Sequence, residues 1–134
     1  MENLFKSKFV NIDYSKEKEL ILAQWSGNDE DLDEENLKSL ILKFADFIKF
    51  YKPQLIVADE AERKIPYHIE LQKWIANTTA SAAISIGLKK FAIVLPIEFI
   101  AGLSTEQTVE ELPTIPFELK IFQNIEEAYS WLYS

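Results

Sequence analysis

The chain has no cysteine, three glycines, a single arginine (Arg63) and a single histidine (His68) in 134 residues. Without cysteine there is no disulfide scaffold, thiolate metal site or thiol nucleophile. So few glycines, with one arginine, leave too little for most phosphate-gripping loops. Apolar runs such as Phe91–Leu95 fall far short of the roughly 20 residues of a membrane-crossing helix. The opening Met1–Lys8 shows no secretory-signal pattern and no lipidation motif is visible, so the expected location is cytoplasmic, without membrane insertion. Bases are scarce too. Acids outnumber them 22 to 14, a net charge of −8, which opposes nucleic-acid backbones.

What remains is an ordinary globular composition, long enough to bury a core as one domain over residues 1–134. Phe9–Ile12 and Leu20–Trp25 flank a polar turn and predict an antiparallel hairpin. Leu37, Leu40, Ile41, Phe44, Ile48 and Tyr51 recur at helical spacing within 29–52. The residue before Pro53 avoids helical geometry, so this helix stops there. Leu55–Ala58 and Phe91–Leu95 read as strands covered on both faces. Between them, Pro66 suits the first turn of a helix that carries Ile69, Trp74 and Ile75 and continues or restarts towards Ile86, with Gly87 as its cap. Ser104-Thr105-Glu106-Gln107 has capping-box spacing and is expected to open a short helix. Leu119–Phe122 predicts a last strand, and Asn124 is expected to cap a terminal helix through Leu132. The order β-β-α-β-α-β-α-β-α predicts an α/β domain with a mixed, mostly parallel sheet of about five strands.

Four stretches, Leu20–Gly27, Tyr51-Lys52-Pro53, Leu55–Asp59 and above all Gly87–Pro96, together with the terminal Ile125–Leu132, resemble the STAS-like domains, specifically the small stand-alone bacterial group related to anti-sigma-factor antagonists. The resemblance implies helices packed mainly on one side of the sheet and regulation by docking onto protein partners. Classical members are switched by phosphorylation of a hydroxyl residue just after the strand that ends here at Asp59. Glu60-Ala61-Glu62-Arg63-Lys64 follows instead, with no hydroxyl before Tyr67, so that phosphoacceptor is absent. Glu60 stands where a permanent negative charge would mimic it. Related folds bind lipids or small apolar ligands.

Two acidic clusters invite chemistry. Asp29, Asp31 and Asp33 match the first three ligand positions of a calcium loop, but Glu34 and Leu40 occupy the positions that need glycine and glutamate. A solvated acidic helix start is favoured over a weak cation site. Asp59, Glu60, Glu62, Arg63 and His68 follow a buried strand, where open α/β sheets bind ligands. A carboxylate orienting His68 would make a general base. Yet no nucleophile elbow accompanies it, and one histidine with one carboxylate is a poor zinc site. The competing reading pairs Arg63 with a nearby acid and leaves His68 exposed at a helix start.

Thr78, Thr79, Ser81 and Ser85 suit close helix packing, with modification or a ligand contact at one of them as the alternative. Trp74 and Phe99 are expected in the core, with a pocket or dimer surface as the alternative. Phe99–Leu103 is either an exposed contact patch or a buried connection.

The reading that follows is a non-catalytic regulatory or interaction module, with no cofactor and no metal. Its partner is a protein of unknown identity, a second copy included. The alternative is a small-molecule or lipid-binding protein whose pocket lies between Asp59 and Trp74. The contact residues expected under either reading are Asp59, Glu60, Arg63, His68 and Trp74.

Overall fold

The computed structural model describes residues 1–134. Six strands form one sheet in sequential order: β1 (Glu2–Lys6), β2 (Val10–Ser15), β3 (Leu20–Trp25), β4 (Leu55–Asp59), β5 (Lys90–Val94) and β6 (Glu118–Phe122). β1–β2 and β2–β3 pair antiparallel, and the remaining three pairings are parallel. The α/β class and the mixed, mostly parallel sheet are as expected. The sixth strand is an addition: β1 precedes the hairpin, and its register shifts between Asn3 and Phe5.

Helices α1 (Glu34–Tyr51), α2 (Ile69–Ser85) and α3 (Phe99–Glu110) connect the parallel strands, and α4 (Ile125–Leu132) ends the chain. Because each new strand is added on the same edge, right-handed crossovers carry all three connecting helices to one face. α4 is not a crossover and packs on the other face, against β4, β5 and β6. The period-two alternation of strands divides the core accordingly. Ile21, Ala23, Ile56, Ala58 and Phe91 pack with Leu37, Ile41, Phe44 and Leu71, whereas Leu20, Leu22, Val57, Ala92 and Val94 pack with Ala128 and Leu132.

Local signals explain most boundaries. Asp33 caps α1 by accepting from the Asn36 N–H at 2.8 Å, and Asn124 caps α4 by accepting from Glu127 N–H at 2.9 Å. Lys52 ends α1 in the left-handed region (φ 50°) just before Pro53. Gly87 takes φ 68° after α2, where an L side chain is strained.

Three expectations are corrected. Pro66 precedes α2 instead of entering its first turn, because His68 is the N-cap. The Ser104–Gln107 box does not open a helix. α3 begins at Phe99, because Glu98 already caps it by accepting from Ala101 N–H at 2.6 Å, leaving Ser104 and Thr105 buried mid-helix. Phe99 is 72% exposed rather than part of the core, since it lies at the outer start of that helix.

Candidate functional site

The loop after β4 is held by hydrogen bonds from both sides. Glu60 N–H donates to Val94 O at 3.0 Å, and Arg63 N–H to Glu60 O at 3.0 Å. From the opposite side, Asp29 Oδ2 accepts from Lys64 N–H at 2.8 Å and Ile65 N–H at 2.9 Å. Asp29 is therefore buried, not part of a solvated acidic start, and no group of acids in the chain is arranged to hold a metal ion. Gly27 lies beneath this loop: a Cβ there would stand 2.9 Å from Glu62 O.

These bonds fold Arg63 inward until it is 2% exposed. Its Nη1 donates to Glu60 Oε1 at 2.5 Å and to Thr105 Oγ1 at 3.3 Å, and Nη2 donates to Ile65 O at 2.7 Å. Thr105 Oγ1 donates in turn to Glu60 Oε1 at 3.0 Å. The guanidinium stacks 3.8 Å from the centre of the Tyr67 ring, a favourable cation–π geometry. Burial disfavours the Arg63 charge, but Glu60, with lesser help from Tyr67 and Asp29, outweighs it and holds the group above its ordinary value. Tyr67 is half-buried, and burial is the main cause that pushes its phenol well above its ordinary value, against the opposing effect of Arg63.

Gln72, 3% exposed, completes the polar end. Its Nε2 donates to Tyr67 O and to Ser104 Oγ, both at 2.7 Å. Ser104 Oγ also accepts from Tyr67 N–H at 3.2 Å, so α3 is tied to the start of α2.

Behind these groups lies a cavity of about 100 Å³ between the sheet and α1–α3. Apolar side chains make up 14 of its 20 lining residues, among them Trp25, Phe44, Ile75, Phe91 and Phe117, and Glu60, Arg63, Tyr67, Gln72 and Thr105 form the polar end. Gln72, Ala76, Thr108 and Leu112 line both this cavity and an outer cleft that adds Lys73, Asn77 and Glu111. The shared walls place the mouth between α2 and α3.

The five anticipated contact residues separate. Glu60 and Arg63 meet at the cavity. Asp59 belongs to the opposite face of the sheet, because strand alternation sends it away from Ala58. It accepts from Gln24 Nε2 at 3.4 Å and from Ala61 N–H at 3.1 Å. His68 is exposed: Nδ1 accepts from Leu71 N–H at 3.3 Å, and Nε2 pairs with Glu34 at the start of α1. A ring nitrogen that accepts carries no proton, so Nε2 is the protonated position. Trp74 is half-buried against the core with Lys38 Nζ 5.2 Å from its ring, and it does not line the cavity. Sequence reasoning missed Gln72, Ser104 and Thr105 as site residues, and favoured helix packing for Thr79, which lines the cavity. The available signal was polar residues at helical spacing with apolar neighbours, as in Leu71, Ile75 and Thr79.

No helix is long and apolar enough to cross a membrane. Comparison with protein-family models, curated proteins and solved structures finds no match to this chain.

Proposed function

We propose that the protein is a non-catalytic binding module whose cavity takes a small, largely apolar molecule. The observation that carries this reading is the cavity itself, apolar over most of its lining and finished at one end by a buried polar cluster, the usual composition of small-molecule sites. Its size selects the ligand. An apolar cavity of about 150 Å³ accommodates benzene, so the roughly 100 Å³ here takes a short branched chain, or a single ring that extends into the open mouth, rather than a lipid tail. The lack of catalysis is supported by the engagement of the titratable groups. Glu60 is bound to Arg63 and Thr105, and His68 serves as a surface helix cap. The resemblance to STAS-like regulators fits a module whose output is a bound state rather than a product, passed on to a protein partner.

Thermal unfolding with toluene as probe tests the reading. A ligand at about 100 times its Kd stabilises by about 2.7 kcal/mol, so toluene raises the melting temperature of the wild type. Ala76→Phe, which fills the shared wall between cavity and mouth, removes that rise. No rise in the wild type with toluene or similar ring-sized probes overturns the proposal.

A further inference from the structure

Over its first half, α3 is amphipathic in reverse. A surface helix normally turns its large apolar side chains to the core and its polar ones to solvent. Here Ala101, Gly102, Ser104 and Thr105 are buried, whereas Phe99, Ile100 and Leu103 face outward. With Ile97, just before the cap, these three are between 47% and 83% exposed. Eleven large hydrophobic residues of the chain are exposed, and four of them fall within 97–103, so the exposure is a patch rather than scatter. Buried contacts lock this orientation. Ser104 Oγ accepts from Gln72 Nε2 at 2.7 Å, Thr105 Oγ1 donates to Glu60 Oε1 at 3.0 Å, and a Cβ at Gly102 would stand 3.1 Å from Pro96 O.

Charge decides what can cover the patch. Phe99, Leu103, Glu106 and Glu110 succeed one another at three- and four-residue steps, so the apolar stripe runs into two exposed carboxylates. Residues 91–119 hold five acids and no base, and the three ion pairs of the chain use none of those five. This face repels an anionic lipid surface. A second copy meeting it through the same face would set Glu106 and Glu110 against the same acids or against apolar side chains, uncompensated either way. A partner whose apolar side chains lead into lysine or arginine matches both halves of the stripe.

We infer that the outer face of α3 docks an amphipathic basic helix of a protein partner. Its apolar side chains cover Ile97, Phe99, Ile100 and Leu103, and its lysines or arginines meet Glu106 and Glu110. This rests on the reading that the module passes its state to a protein partner, and not on the occupant of the cavity, which none of these six residues lines.

Fluorescence anisotropy with two labelled helical peptides of about 18 residues tests this on the full chain. One carries leucine on one face and lysine on the other, and the second has glutamate in place of lysine. The lysine peptide binds about tenfold tighter or more, and the difference shrinks as salt rises. Phe99→Ser/Leu103→Ser and Glu106→Lys/Glu110→Lys each weaken the lysine peptide by about tenfold or more. Two controls weaken it by less than about threefold. They are Phe50→Ser, at an aromatic on α1 that is 76% exposed, and Glu30→Lys/Glu35→Lys, the same change of net charge in the acidic segment. All the substituted residues are exposed, so the variants fold. Equal binding of the two peptides, or an equal loss in the controls, overturns the assignment. So does a wild-type dimer that Phe99→Ser/Leu103→Ser dissociates, which gives the face to a second copy. Flotation with dioleoylphosphatidylcholine vesicles, lost in that same variant, gives it to a lipid surface and also overturns the assignment. Absence of any peptide binding overturns it too, and leaves the cavity reading to the toluene test.

Discussion

At the scale of the residue, Arg63 decides the most. A buried ion pair adds little net stability, but removing one partner strands the other. Arg63→Leu leaves Glu60 beside Thr105 without its counter-charge and is expected to cost about 3 kcal/mol or more in urea unfolding. The double variant Arg63→Leu/Glu60→Leu costs clearly less than the sum of the single ones, because the two residues are coupled. Additivity would show that the pair is not a unit. Tyr67 gives a pH signature. Its phenol is raised in the folded state above its ordinary 10.0, so its contribution is fully present below pH 10. It is lost as pH rises past 10, where the unfolded chain releases a proton that the folded chain retains. The urea midpoint of the wild type falls between pH 9 and 11, and Tyr67→Phe, measured the same way, falls less steeply. The sequence singled out Arg63 and Glu60 because a lone arginine beside acids after a buried strand is conspicuous. It could not separate Asp59 from Glu60, since which side of a sheet a residue takes at the end of a strand depends on where the strand stops.

Elements were legible where local chemistry is strong. The α1 stripe, the paired buried strands β4 and β5, and the Asn124 cap all follow from short-range pattern. Two elements escaped for physical reasons. β1 alternates weakly, is mostly exposed and holds its place through pairing with β2, including Asn3 Nδ2 on Asn11 and Asp13, a tertiary cause. α3 misled because Ser104 and Thr105 mimic a cap, whereas their hydroxyls serve Gln72, Tyr67 and Glu60. Backbone strain at helix ends gives a clean pair of tests. Lys52 holds a left-handed conformation at the α1 C-cap, which costs a non-glycine residue about 1 kcal/mol, so Lys52→Gly stabilises by up to that amount. Gly87→Ala destabilises by a similar amount, since a Cβ there meets nothing within 4 Å and only the backbone term remains. Chemical denaturation of both variants checks the opposite signs.

Across the whole molecule, the charge of −8 is unevenly held: residues 28–36 contain six of the 22 acids and no base, leaving 16 acids against 14 bases elsewhere. That acidic segment is built into the structure, with Asp29 gripping the loop that positions Arg63, Asp33 capping α1 and Glu34 meeting His68. The cavity sits between parts of unequal strength. α1 buries Leu37, Ile41, Phe44, Ala45 and Ile48, whereas α3 buries only Ala101, Gly102, Ser104 and Thr105 and turns Phe99, Ile100 and Leu103 outward. Apolar area removed from water is the main stabilising term, so α3 gains little of it and is held chiefly by hydrogen bonds from Ser104 and Thr105. Segments with few buried apolar contacts open at the low end of the free-energy scale. Amide hydrogen exchange is therefore fastest, among the three helices on this face, in Phe99–Glu110, and slowest in the middle of α1. Thr108 and Val109 line the cavity, so a probe seated there adds apolar contact to α3 and must be released when the helix lifts. Saturating toluene then slows exchange in α3 more than in α1. Uniform slowing across all helices would mean that ligand release requires global unfolding, and equal exchange in α1 and α3 without ligand would show that the hydrogen bonds compensate for the missing apolar contact.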